Sequence, residues 1–302
     1  MAHKERESVK IGLFATVSGR GNVMAVMKAF AANAERVGFS TLWVPEHVVL
    51  LDQYVSRYPY AEDGKLLARP DTAIPDPFLS LCTMASVTEK IRLATGICLV
   101  PERNPLVLAK VVATLDWLSN GRVILGAGIG WLEEEFRALG IPWENRARRT
   151  REYIEAMRRL WGDEVSSYHG EFVQFDGVRC YPKPIRGADL PVMFGGESGP
   201  ALRRVCEYGN GWCGFNLLPD EAAAKIRKIE ELLRANGRKR SDVELAVSPY
   251  TKRIVRDDLK RYRDAGVDEL VLATVRAPRS VEDAAMRLEE AAREWLEPAS
   301  KL

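Results

Sequence analysis

The chain has 302 residues, 46% hydrophobic and 28% charged, enough to bury a large core without metals or disulfides. Lys and Arg total 44 against 42 Asp and Glu, and the resulting net charge of +2 gives no sign of a nucleic-acid partner or an obligatory membrane surface. The five cysteines, Cys82, Cys98, Cys180, Cys206 and Cys213, are scattered, odd in number and lack a CxxC pair, which argues against a disulfide framework or a zinc site. The polar start from Met1 to Ser8 has no apolar signal-peptide core, and no run of about 18 apolar residues follows, so a soluble cytoplasmic protein is expected.

Strands and helices alternate along the chain. Val9 to Ala15 reads as a strand, followed by a helix with Val23, Met27, Phe30 and Val37 at helical spacing, capped by Asn22 and ended by Gly38. Thr41 to Pro45 is the second strand, Pro77 to Val87 a helix, and Arg92 to Cys98 the third strand. Asn104-Pro105 opens a helix to Leu118 that is apolar nearly all round, so deep packing is expected. Val123 to Gly128 is the fourth strand, and a helix carries Tyr153, Ile154, Met157, Leu160 and Trp161 on one stripe. Short strands at Pro191 to Phe194 and Trp212 to Phe215 flank a helix with Leu202 and Val205. The pattern then repeats: helix Pro219 to Ala235, strand Val243 to Ser248, helix around Tyr262, strand Glu269 to Thr274, and a last helix capped by Ser280 and Asp283.

Eight such units predict an α/β fold with parallel strands, a (β/α)8 TIM barrel of about 250 residues. The surplus falls after strand 2, from Glu46 to Asp76, and between strands 4 and 5, from Trp131 to Leu190. The second insertion holds a hairpin-like stretch, Glu171 to Val178, with Asp176-Gly177 as the turn signal. An open doubly wound sheet is the rival, disfavoured because the first strand lacks a glycine fingerprint. With no linker in sight, 1–302 reads as a single domain.

In such barrels the active site lies at the C-terminal ends of the strands. There stand Glu46 and His47, and His47 is one of only three histidines, suited to hold a cofactor or move a proton, or simply packed under a loop. Gly195 to Pro200 opens a helix whose first-turn amides suit a phosphate, or is a plain turn with Ser198 as cap; Glu197 fits a phosphate poorly unless it points to solvent. The glycines of Gly126 to Gly130 are spaced GxGxG, not GxGxxG, and either let a flat ring lie on the backbone or pack against the hairpin. Arg146, Arg148, Arg149 and Arg151 read as a solvated helix face rather than an anion site, and Glu133-Glu134-Glu135 as a solvated first turn. The Glu46 to Asp76 segment, with Tyr54, Tyr58 and Tyr60, suits a substrate lid or a structural loop. A Schiff-base aldolase would need a strand-end lysine, for which Lys252 is the loose candidate.

Several stretches together resemble the luciferase-like monooxygenase superfamily, in particular an actinobacterial branch of probable coenzyme F420-dependent oxidoreductases. They are Gly38 to His47, Lys90 to Gly96, Pro101 to Lys110, Thr114 to Asp116, Gly130-Trp131 with Glu134-Glu135-Phe136, Pro182 to Pro184, and Gly195 to Ser198. The match runs in order from Ile11 to Phe215, while the C-terminal third is similar mainly in its strand-helix pattern.

The resemblance implies a barrel binding FMN or F420 at the strand ends, with His47 against the ring and His47, helped by Glu46, moving protons. Thr95, Gly96 and Ile97 match a bulge, sometimes a non-prolyl cis peptide, behind the ring; Gly128, Gly130 and Trp131 would flank it, and Gly195, Gly196 and Ser198 would sit near the phosphate. It also implies a homodimer and a separate flavin or F420 reductase. Sugar-phosphate dehydrogenases of the superfamily carry a glutamate where this chain has Trp131, so an apolar or planar substrate is expected instead. The expected function is F420-dependent hydride transfer with a small organic substrate; an FMNH2-dependent two-component monooxygenase and a non-catalytic flavin-binding barrel are the alternatives.

Overall fold

The computed structural model describes residues 8–16, 22–273 and 278–302. The polar start from Met1 to Glu7 and the end of the last expected strand at Thr274 lie outside the described residues.

The strands are β1 (Lys10–Phe14), β2 (Thr41–Val44), β3 (Arg92–Thr95), β4 (Cys98–Leu99), β5 (Val123–Gly128), β6 (Ser166–His169), β7 (Gln174–Val178), β8 (Val192–Gly195), β9 (Gly211–Phe215), β10 (Glu244–Ser248) and β11 (Glu269–Leu272). The main sheet is parallel throughout and runs β3-β2-β1-β11-β10-β9-β8-β5, and a β3–β5 pairing closes it. Counting β3 and β4 as one interrupted strand, this is the eight-stranded parallel barrel expected from the alternation, not the open sheet. Register pairs such as Leu13 with Leu42 and Leu42 with Leu93 set the stagger.

Period-two patterning decides what fills the barrel. Phe14, Trp43, Ala94, Ile124, Met193, Cys213, Ala246 and Val271, one from each strand, point inward as a buried layer. Their neighbours face the helices and join a larger outer core with Phe30, Met84, Leu108, Met157 and Leu288. Below the layer, Arg92 donates to both carboxylate oxygens of Glu244 at 2.7 and 2.8 Å and to Glu269 at 3.2 Å. This charged plug at the N-terminal ends leaves the opposite mouth for ligands.

The helices are α1 (Val23–Val37), α2 (Pro77–Ala85), α3 (Pro105–Leu118), α4 (Glu133–Ala138), α5 (Arg146–Gly162), α6 (Gly199–Tyr208), α7 (Pro219–Ala235), α8 (Asp257–Ala265) and α9 (Val281–Ala291). Local signals place their ends. Asn22 caps α1, Gly38 ends it at φ 104°, and Asn104 with Pro105 starts α3. The expected deep burial of α3 does not hold: Leu108, Ala109, Val112 and Ala113 are buried, but Val107, Trp117 and Leu118 are more than half exposed, because only one face packs on the barrel and α5.

The two insertions lie where expected. The hairpin differs in its turn: β6 and β7 pair antiparallel with His169 opposite Gln174, and Gly170 N donates to Val173 O at 3.0 Å. Asp176-Gly177 instead lies inside β7, where the register shifts and Gly177 has φ 61°. Its turn chemistry builds a bulge.

Candidate active site

A cavity of about 590 Å³ opens at the C-terminal mouth of the barrel. It lies within the size range of small-molecule sites. Of the residues expected from the sequence, Glu46, His47, Gly96, Ile97, Gly128, Gly130, Trp131, Gly195, Gly196 and Ser198 all line it. Thr95 does not: it is fully buried and its Oγ1 donates to Gly126 O at 2.7 Å, so it braces the wall behind the cavity.

One wall is a shelf of glycines under Ile97. The third strand breaks between β3 and β4, the Gly96–Ile97 peptide is cis, and the Ile97 side chain lies over the neighbouring strand ends. A Cβ on Gly195 would stand 2.3 Å from Ile97 Cδ1, and one on Gly128 would stand 2.9 Å from it. A Cβ on Gly126 would meet the Thr95 carbonyl oxygen at 1.9 Å. The glycines therefore bring three backbones together under one apolar face, the form a flat ring needs.

His47 stands at the rim, with its side chain 11% exposed. Its Nδ1 lies 2.8 Å from Glu135 Oε2, while Glu135 Oε1 accepts from Val48 N at 2.6 Å and Val49 N at 3.1 Å. A fully buried carboxylate that accepts two backbone N–H groups makes Nδ1 the donor, leaving Nε2 as the ring nitrogen without a partner among the described residues. The expectation of a solvated first turn at Glu133-Glu134-Glu135 is thus corrected. Glu135 anchors His47, Glu134 accepts from Val55 N at 2.6 Å and Ser56 N at 3.2 Å, and only Glu133 faces outward, paired with Arg137. Helical spacing cannot reveal this, because the partners come from the long insertion.

Glu46 is differently engaged. Its Oε1 accepts from Arg103 Nε at 2.8 Å and also from Nη2, and its Oε2 accepts from Leu99 N at 2.6 Å. Arg103 also donates to Asp76 Oδ2 at 2.8 Å, and although burial disfavours its charge, the two carboxylates outweigh that and hold the guanidinium above its ordinary value. Asp76 caps α2 in turn and is pulled below its ordinary value, its burial outweighed by Arg103 and the amides of Leu79 and Phe78.

The insertion after β2 forms the roof. Tyr58 and Trp131 meet edge to face at 5.1 Å between ring centroids, Trp131 also touches His47 at 5.9 Å, and Tyr60 packs on Phe215 at 4.9 Å. Asn216 Nδ2 donates to Tyr60 O at 3.2 Å. Glu197, which suits a phosphate site only if it points to solvent, turns inward instead: it accepts from Phe215 N at 2.8 Å, and burial raises its carboxyl despite the opposing bonds from Phe215 and Tyr60. Tyr60 lies in the segment expected as a lid and Glu197 in the expected phosphate turn, but Phe215 and Tyr250 are cavity residues that the sequence did not signal, since their meeting with the other two depends on how the roof closes.

The far end is cationic. Gly196 has φ 103°, and Ser198 caps α6 by accepting from Ala201 N at 3.3 Å. Arg204 of α6 lines the cavity, and its buried Nε has no hydrogen-bond partner among the described residues. Arg146 stacks on Trp143 at 3.5 Å and is close enough to Arg204 for mutual repulsion to lower its guanidinium, after burial as the first cause. The other arginines of that run are engaged: Arg148 with Glu171, Arg149 with Pro142 O and Glu144 O, and Arg151 with Glu155 and Glu207. Lys252 is held by Glu221 at 2.7 Å and does not line the cavity.

Comparison with known proteins agrees with the geometry. The family profile described as luciferase-like monooxygenase matches residues 9–301. An uncharacterized protein of Mycobacterium tuberculosis is 35% identical over 284 residues, 93% of this chain and 96% of that one. The FMNH2-dependent dimethylsulfone monooxygenase of Pseudomonas putida is 32% identical over 158 residues, 51% of this chain and 43% of that one. The structure of the coenzyme F420-dependent tetrahydromethanopterin reductase of Methanopyrus kandleri superposes with a TM-score of 0.71 at 19% identity, covering 97% and 99% of the two chains. No helix of the described residues is long and apolar enough to cross a membrane.

Proposed function

The chain belongs to the luciferase-like monooxygenase family, and on that premise we propose that it is an F420-dependent oxidoreductase moving hydride to or from a small organic substrate. The observation that carries the proposal is His47 at the cavity rim, with Nδ1 fixed on Glu135 and Nε2 without a partner among the described residues. A bound deazaflavin would supply a hydride carrier with carbon at position five, which activates oxygen poorly.

The residues present fit such a group. Gly96, Ile97, Gly128 and Gly195 form an apolar shelf for a flat ring, and Gly130 and Trp131 flank it. Gly196, Ser198 and the first turn of α6 face the phosphate end, with Arg204 and Arg146 as the charges that an anion would satisfy. His47 gives or takes the substrate proton at Nε2, while Glu135 fixes the ring orientation. Glu46 positions the wall through Arg103 and Leu99, and Thr95 supports the shelf from behind. Trp131 and the tyrosine roof exclude water and select apolar or planar substrates. A second copy of the chain and a separate F420 reductase complete the partners in this reading.

The relationship to the dimethylsulfone monooxygenase supports a second reading, an FMNH2-dependent two-component monooxygenase fed by a separate flavin reductase. Paired fluorescence titrations with F420 and with FMN separate the two. We expect micromolar binding of F420 and at least tenfold weaker binding of FMN. Tight binding of FMN alone favours the second reading, and binding of neither overturns both.

A further inference from the structure

Glu102 is buried, at 7% exposure, in the short turn after β4, and neither carboxyl oxygen has a hydrogen-bond partner among the described residues. A buried carboxylate without a donor is one of the costliest arrangements in a protein, whereas a neutral carboxyl is tolerable. Its surroundings add to the cost of ionisation. Glu135 faces it from α4 and Glu46 from the segment after β2, Cys98 lies near it on β4, and among the described residues the opposing charge is the neighbouring Arg103. Arg103 is already engaged by Glu46 and Asp76.

The position is close to the cavity. Gly130 lines the cavity, and a Cβ on it would stand 3.2 Å from Glu102 Oε1. Glu135, the larger of the two acidic sources of repulsion, holds His47, Val48 and Val49. An extra negative charge at Glu102 would therefore push on the group that fixes the orientation of His47.

We propose that Glu102 is a positioning residue of the active site, a proton-holding third carboxyl behind Gly130 whose neutral form keeps Glu135, and through it His47, in place. Its functional consequence rests on the reading of His47 as the proton carrier; the titration below does not. Burial, with Glu135 and Glu46 adding to it, raises the Glu102 carboxyl to about 9, so its ionisation falls in an accessible alkaline range.

The chain has only three histidines, which makes histidine-selective NMR of the cofactor-free protein tractable. Loss of one signal in His47→Asn assigns His47. We expect the His47 ring signals of the unsubstituted protein to show an inflection near pH 9 that is absent in Glu102→Gln, whose amide mimics the neutral acid. Glu102→Leu gives the same comparison if the amide variant does not fold. Superimposable titrations in the unsubstituted protein and either folded variant overturn the proposal. In turnover, the same substitution removes an alkaline loss of kcat/KM centred near pH 9 while leaving the acid side unchanged. Loss of the NMR inflection with no change in the rate profile would retain the Glu102 assignment and overturn the role of His47.

Discussion

The Glu46–Arg103 pair offers a quantitative test of what holds the cavity wall. The Glu46 side chain is 1% exposed, that of Arg103 24% and that of Asp76 35%. Arg103→Met keeps much of the stem but strips Glu46 Oε1 of both guanidinium bonds, leaving a buried carboxylate with Leu99 N as its remaining N–H donor among the described residues. Removing one partner of a buried ion pair costs about 3–5 kcal/mol. Loss of the more exposed Asp76 pair adds under about 1 kcal/mol. Since a domain is typically stable by about 5–15 kcal/mol, R103M should be severely destabilised but not always unfolded. Glu46→Gln in the same chain removes the uncompensated charge, and E46Q/R103M should recover at least about half of the loss. The assay is urea denaturation of the two single variants and the double variant, followed by tryptophan fluorescence and analysed as a double-mutant cycle. An R103M cost below about 1 kcal/mol, or strict additivity of the two changes, refutes the assignment of Glu46 as a brace.

Three further outcomes are expected. Because the Glu102 carboxyl lies at about 9 in the fold against an ordinary 4.5, the folded state binds the extra proton, so stability falls as pH rises from about 4.5 to about 9 and then levels; Glu102→Gln should flatten this slope, measured by urea midpoints across pH. Gly126→Ala should lower the melting temperature sharply, because its Cβ meets backbone at 1.9 Å, whereas Gly195→Ala meets only the end of the Ile97 side chain and should stay folded while weakening cofactor binding at least tenfold. His47→Asn should bind cofactor within a few-fold of the unsubstituted protein yet turn over about 10²–10⁴ times more slowly, while Trp131→Ala should change KM and substrate preference, both read in single-turnover and steady-state assays.

Much of this architecture is legible from local signals. Hydrophobic alternation at Leu42, Leu93 and Leu125, with caps such as Asn22, Asp76 and Asn104, marks the strand-helix units, and the barrel rule then places His47, Gly128, Trp131 and Gly195 at one mouth. What stayed hidden is long-range. Glu135 looks like a solvated dipole-capping residue until the insertion from residues 46 to 76 folds over it and supplies His47, Val48 and Val49. Glu197 looks like an obstacle to phosphate until Tyr60 and Phe215 turn it inward. Glu102 stands at a strand end where a site is expected, but its isolation gives no sequence signal, since it depends on three separate elements. Asp176-Gly177 misleads for a different reason: the same left-handed glycine serves a tight turn or a bulge, and the pairing of Tyr168 with Phe175 selects the bulge.

The most direct measurement is a crystal structure of the protein with F420. We expect the ring on the Ile97, Gly128 and Gly195 shelf, its reactive edge toward His47 Nε2, and the phosphate within hydrogen-bond reach of Ser198 and Arg204. A ring bound outside the barrel mouth, or a phosphate with no contact to Ser198 or Arg204, contradicts the assignment of this cavity as the cofactor site.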